Sequence, residues 1–508
     1  MSSLLSSSLP LLAVLGIVFP ALIWAGLQRP ALGLGVLLLA LPVLNLARRL
    51  FSSADSIPYP SLETIAVVLL WISVQIRQLG RRGHDAASCP LPSAHWGTGT
   101  KIAVAVFLLA SLGSSLLSHD PSLSLKILLC GGVIPLLAYC VALKLRPCWS
   151  DVKPLIWGIF GMTLQIGLYT VLTFRQRQMM TGADELLAWM YGAAPAAGLF
   201  VVPSVAVTMV VPAIPLAAWY WQHGHVLRQL RHSGYREEPR AMNLSDTLVT
   251  LAVLVAALTT AALGLSRGCW AGVAVATVCS LPLLFRRMRL GPLILVVGAA
   301  ALLFFSGAFE TVAQIISFRL GGGNASRNVD IRNVNFALAL LSAPKHILTG
   351  VGLGQYTEVY AEFPNAMASM LPRLWFAHSL FLTLIPEIGL IGTVAFAVIF
   401  VRGLVQAARF GRRLGTVRNA ECEMRNAKCE AWLPFSQALL IGVIAYIVIA
   451  STTGAHLVSY VLCNPQYLFY DPNGTYFTSS ALILTFALLG TIAAISRRPA
   501  EIPGSESQ

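Results

Sequence analysis

The sequence predicts an all-α protein, a polytopic bundle of transmembrane helices with about 12–13 spans and one long, partly helical external loop. Three observations carry this expectation. The chain has 508 residues, of which 56% are hydrophobic and only 11% charged, with a mean hydropathy of +0.73. Soluble domains carry about 25% charged residues, so most of this surface needs lipid as its solvent. Apolar runs of about 17–25 residues recur from end to end, the length at which a helix crosses a hydrocarbon core of roughly 30 Å. The short alternating segments of a transmembrane barrel are absent, and in lipid only helices or closed barrels satisfy the backbone.

In chain order the expected spans are 9–26, 30–47, 60–76, 102–118, 123–143, 154–173, 197–221, 246–264, 268–285, 290–307, 379–403, 434–452 and 476–495. They make residues 1–497 one polytopic membrane domain, with 308–378 as a large external loop within it and 498–508 as a disordered cytoplasmic tail. The first apolar run is not read as a cleaved signal, because Met1 to Pro10 has no basic n-region. The loop 308–378 is long enough to be functional or disordered. Its helix-like run Ile331 to Leu341 and the turn from Gly350 to Gly354 favour a folded element.

Basic residues set the orientation. Arg77, Arg81, Arg82 and Lys101, then Arg228, Arg231, Arg236 and Arg240, then Arg286, Arg287 and Arg289, then the 404–433 loop and Arg497-Arg498, all fall on one side. Positive charge in short loops marks the cytoplasmic side. Arg48 and Arg49 are the exception, placed outside. The net charge of +14 is then mainly topology, and its dispersal over many loops argues against a nucleic-acid interface. The nine cysteines form no close metal-ligand pair and read as buried or incidental thiols.

The residues that could carry chemistry gather on the external side. His378 lies at the outer mouth of the span 379–403, whereas His84, His223, His225 and His232 fall in basic loops and His95 in a Ser/Pro/Gly linker. An imidazole at such a boundary can accept a proton from a hydroxyl near neutral pH; the structural alternative is an interfacial histidine held by the backbone. Pro386 removes one helical N–H and should kink the span, with Glu387 hydrogen-bonding across the kink. Arg267 sits in the turn Ser266-Arg267-Gly268 between two apolar runs, where a guanidinium is costly without a partner. It is either a snorkelling arginine or a ligand for an external anion. Arg175 and Arg177 stand at the outer end of the sixth span, and Arg332 and Arg373 in the long loop. If they converge, these arginines would form a phosphate or diphosphate clamp, since guanidinium pairs bidentately with phosphoryl oxygens. Asp120, Asp184, Glu185 and Glu310 supply no spaced pair to hold a divalent metal, and the chain has no Walker loop, zinc motif or dinucleotide fingerprint.

His378-Ser379, Glu387, Gly389 and Gly392 together resemble the signature of the bacterial inner-membrane O-antigen ligase and O-antigen polymerase family. Further pieces are similar in order: Ser266-Arg267-Gly268-Cys269-Trp270, the helix from Arg332 to Ala339 with Phe336, and Gly350-Val351-Gly352-Leu353-Gly354-Gln355-Tyr356. Pro121 after His119-Asp120 is a weaker match. The resemblance covers about 246–404. One departure stands out. The family often has an arginine before a Gly-x-Phe-x-Asn-Pro run ahead of the seventh span, whereas this chain reads Ala193-Ala194-Pro195-Ala196-Ala197-Gly198-Leu199-Phe200-Val201-Val202-Pro203. Arg175 or Arg177 is the candidate substitute.

The resemblance implies a GT-C-like membrane glycosyltransferase at the periplasmic face of the inner membrane. The donor would be a glycan on undecaprenyl diphosphate, and the acceptor a hydroxyl on lipid A-core or on a carrier-linked glycan. It also implies His378 as catalytic base, with Arg267, Arg332, Arg373, Arg175 and Arg177 as diphosphate ligands, inversion at the anomeric centre, and no metal or other cofactor. The competing readings are a secondary transporter and a polysaccharide-assembly protein without catalysis. Against transport, no internal repeat is visible and polarity gathers at one face rather than at the midplane.

Overall fold

The computed structural model describes residues 16–51, 62–84, 98–145, 149–180, 203–232, 244–263, 267–285, 323–356, 358–361, 363, 379–417, 423–453, 458–461, 475–478 and 480–495. The expected span 290–307 and the tail 498–508 lie outside these residues. Every other expected span overlaps one or more described helices.

In order, the helices are α1 (Gly16–Gln28), α2 (Pro30–Phe51), α3 (Leu62–His84), α4 (Thr98–Leu116) and α5 (Pro121–Ile127). A π-helical segment, Leu128–Val133, leads into α6 (Ile134–Ala142) and α7 (Trp149–Met180). Next come α8 (Pro203–Val210), α9 (Ala213–His232), α10 (Leu244–Leu263), α11 (Arg267–Phe285), α12 (Gly323–His346), α13 (Glu358–Ala361), α14 (Leu380–Val417) and α15 (Glu423–Thr453). A short antiparallel hairpin of β1 (Val458–Val461) and β2 (Thr475–Thr478), in register from Val458↔Thr478 to Val461↔Thr475, precedes α16 (Ser480–Ile495). Among the described residues, six helical segments are long and apolar enough to cross a membrane: Leu62–Gly80, Thr98–Leu116, Pro121–Ala142, Ser150–Leu172, Leu244–Ala262 and Leu380–Gln406. Shorter apolar helices stand beside them, Gly16–Gln28, Pro30–Asn45, Cys269–Leu283, Pro434–Ala450 and Leu482–Ile495. The protein is an all-α, polytopic membrane helical protein.

Its packing follows from having lipid outside. Leu109, Leu168, Val278, Ile391 and Val394 are exposed, which suits contact with acyl chains rather than water. Buried hydroxyls bond to the preceding turn of their own helix: Thr163 to the Ile159 carbonyl at 2.8 Å, Thr260 to Ala256 at 2.7 Å, Thr491 to Ala487 at 2.7 Å. A hydroxyl in hydrocarbon thus costs little, because the helix itself supplies the acceptor. Where helices cross closely, small residues allow it. A Cβ on Gly158 would lie 2.8 Å from the Gly35 Cα, which fixes the contact of α2 with α7. The centre of the bundle is aromatic, with Phe107, Phe396, Phe400, Phe486 and Tyr446 buried and in ring contact along α4, α14, α15 and α16.

Two elements differ from the sequence expectation. The span 197–221 is broken: Pro212 has no N–H to continue the helix, and the chain turns at Val211-Pro212 before restarting at Ala213. The break is buried, and Gly442 of α15 leaves room for Pro212 against it. The β-hairpin is the other difference. Its second strand packs beside the π-helical segment.

Candidate functional site

The site begins at the start of α14. The Ser379 carbonyl accepts the Thr383 N–H at 2.9 Å and the Thr383 hydroxyl at 2.8 Å, so Ser379 opens the helix. The kink expected at Pro386 is present, but the break falls three residues later. Gly389 has φ 74° and ψ 170°, in a region open to glycine and closed to most side chains. The break exposes helix carbonyls, and a distant loop takes them up. The Val351 N–H donates to the Pro386 carbonyl at 2.8 Å, and the Gly352 N–H to the Glu387 carbonyl at 2.9 Å. In return the Leu390 N–H leaves its own helix and donates to the Ile347 carbonyl at 2.9 Å.

Glu387 closes the joint from the other side. Its side chain is buried, and its carboxyl accepts the backbone N–H groups of Gly354 and Tyr356. The sequence expectation of a hydrogen bond across the kink is therefore met, with backbone as the partner. Ser114 of α4 donates its hydroxyl to the Glu387 carbonyl, and Ser124 of α5 donates to the Leu353 carbonyl at 2.9 Å. The glycines are steric requirements here. Gly350 has φ 69°, and a Cβ on it would collide with the Glu387 carbonyl; a Cβ on Gly354, at φ 74°, would collide with Ile127. The loop 350–356 is thus locked into a cradle made by α4, α5 and the kinked start of α14. Asp120, one of the acidic candidates, caps α5 instead: its Oδ1 accepts the Leu123 N–H at 3.0 Å, and Pro121 occupies the first helical position.

The backbone brings several of the expected residues to the same end of the bundle as this joint. α14 and α15 are joined by the short segment 418–422, so the start of α14 and the end of α15 share one end. Gly272 of α11 packs on Ala445 and Ile449, near the end of α15, which puts Arg267, the first residue of α11, at that end. The end of α10 lies there too, because only 264–266 separate it from α11. α7 runs parallel to α10: Tyr220 contacts Trp157 and Phe160 of α7 and donates to Asp246 of α10, while further along Gly167 meets Ala256. The end of α7, carrying Arg175 and Arg177, therefore reaches the same end. Arg332 lies on α12, which packs against α14. His378 and Arg373 lie outside the described residues.

Sequence reasoning did not anticipate Ser114, Ser118 and Ser124 as parts of the joint. Ser118 packs on Gly352. A signal was available: Ser111, Ser114, Ser115 and Ser118 recur at helical spacing along one face of an otherwise apolar span, and all are buried.

By fold this is a polytopic helical membrane protein with the glycine-loop joint at one end of its bundle. Residues 252–397, less than a third of the chain, match the family model described as O-antigen ligase. No curated protein matches the chain. Over that stretch the chain is similar to the family whose motifs its sequence also resembles. The matched stretch contains Arg267, Arg332, Arg373, His378 and the Gly350–Gly389 joint; Arg175 and Arg177 lie before it.

Proposed function

We propose that the protein transfers a glycan from undecaprenyl diphosphate to an acceptor hydroxyl at the periplasmic face of the bacterial inner membrane. The observation that carries this reading is the glycine-loop joint at the start of α14, inside the family-matched stretch. It ties Pro386, Glu387 and Leu390 of the helix that begins at Leu380, shortly after His378, at the end of the bundle to which Arg267, Arg175 and Arg177 also belong. Basic residues such as Arg402 and Arg409 lie further along α14, away from the joint, which fits a periplasmic orientation of the site by the positive-inside rule.

In this mechanism His378 takes the proton of the acceptor hydroxyl as its oxygen attacks the anomeric carbon. The new C–O bond forms as the bond from that carbon to the diphosphate oxygen breaks, with inversion. Undecaprenyl diphosphate leaves with the bonding electron pair. Arg267, with Arg332, Arg373, Arg175 and Arg177, stabilises the charge that develops on it, a role that needs no metal. The acceptor is lipid A-core in a ligase or another carrier-linked glycan in a polymerase.

The test is transfer by purified protein from a polyprenyl-diphosphate-linked glycan in the presence of a chelator. His378→Ala should fold normally and lose about 10²–10⁴ of the rate. Full transfer by that variant, or a requirement for added divalent metal, would overturn the mechanism.

A further inference from the structure

We propose that the opposite end of the bundle, where the first turn of α4 meets Arg402 of α14, binds the phosphate group of an anionic membrane lipid. This site is separate from the proposed transfer site: the residues from Gly99 to Ser114 of α4 span about 22 Å of helix.

Four features converge there. The first N–H groups of α4, from Thr98 onward, have no acceptor within their own helix, and they mark the positive end of its dipole. Onto this turn the fold packs a second positive group. A Cβ on Gly99 would collide with the guanidinium of Arg402, so glycine is what lets that group lie directly on the helix start. Arg402 is half-buried, and among the described residues none pairs with it. A guanidinium against a helix N-terminus is repelled unless an anion sits between them. The third feature is Thr100, only 2% exposed, whose Oγ1 has no hydrogen-bond partner. Thr100 belongs to the buried face of α4 with Ala103 and Phe107, and Phe107 packs on Phe396 of α14, so Thr100 lies on the face of α4 turned toward α14, the helix that carries Arg402. The exposed Lys101 adds a further positive charge on the same turn.

Backbone N–H groups, a planar fork of guanidinium donors and a buried hydroxyl together make a receptor for phosphoryl oxygens. The surroundings favour a lipid phosphate over a free one. Ile102 is 57% exposed and Val401 53%, with Val405 also exposed, so apolar side chains suited to acyl chains flank the polar group. Arg402 lies near the end of the apolar segment Leu380–Gln406, the depth at which headgroup phosphates sit.

The experiment uses the full-length protein purified in detergent. Retention of phosphatidylglycerol is titrated by native mass spectrometry, with inorganic phosphate as a separate ligand. Arg402→Gln should weaken phosphatidylglycerol binding about tenfold or more, and Thr100→Val should weaken it to a smaller degree. Arg409→Gln, an exposed charge on the same helix, should leave it within about twofold. Thermal unfolding without added lipid serves as the folding control. Equal binding by Arg402→Gln and the unaltered protein would overturn the site, as would an equal loss in Arg409→Gln. Binding of inorganic phosphate without retention of phosphatidylglycerol would overturn the assignment to a lipid.

Discussion

Replacing Glu387 by Leu removes the carboxyl while keeping a side chain of similar size in its buried place. The structure gives the cost. The N–H groups of Gly354 and Tyr356 lose their acceptor in a site from which Glu387 itself is almost entirely shielded. An orphaned buried donor costs about 1–3 kcal/mol, so the pair costs about 2–6 kcal/mol. The loop 350–356 bears this loss directly, because the two N–H groups belong to it; its ties to the neighbouring helices include the Val351 and Gly352 bonds to α14 and the Ser124 bond to Leu353. If local opening absorbs it, the opening equilibrium rises by about 30-fold at the lower bound. Hydrogen exchange read by mass spectrometry over peptides covering 350–356 measures this. Glu387→Leu should speed exchange there by about 30-fold or more relative to the α7 and α16 peptides. Glu387→Gln keeps a carbonyl acceptor and should recover most of the protection. Unchanged exchange in Glu387→Leu would refute the claim that this side chain holds the loop.

Gly389→Ala should destabilise by about 1–3 kcal/mol, since φ 74° disfavours a Cβ that would also stand 2.8 Å from the Ile347 carbonyl; thermal unfolding in detergent measures it. Ser114→Ala should cost only about 1 kcal/mol, because the Glu387 carbonyl keeps its bond from Gly352, and the same scan should separate it from the glycine variant. Gly158→Leu should be worse than either, since even a Cβ at that position lies 2.5 Å from the Gly35 carbonyl; loss of folded protein on size exclusion is the expected outcome. Arg267→Ala should lower use of the diphosphate donor more than use of the acceptor, which steady-state kinetics with each substrate varied in turn would show; equal losses would count against the clamp.

Most of the helices were legible because hydropathy alone records them: the apolar run 246–264 became Leu244–Leu263, and 268–285 became Arg267–Phe285. Pro386 announced a kink, but the sequence could not show that the backbone would break at Gly389. That position depends on the 347–352 segment accepting and donating across it. The partners of Glu387 were hidden for the same reason. They are main-chain N–H groups about thirty residues upstream, and a backbone group leaves no trace in residue identity. The break at Val211-Pro212 was obscured because both flanks are apolar, and proline within such a run is compatible with either a bend or a stop. The gathering of Arg267, Arg175 and Arg177 at one end required the parallel packing of α7 on α10, a tertiary fact that hydropathy does not carry.

Photo-crosslinking locates the reaction most directly. A polyprenyl-diphosphate-linked glycan bearing a diazirine beside the diphosphate, activated on the purified protein, should label peptides at the joint end of the bundle, around the start of α11 or the 350–390 segment. Labelling confined to the far end, near Lys101 and Arg402, would contradict the account.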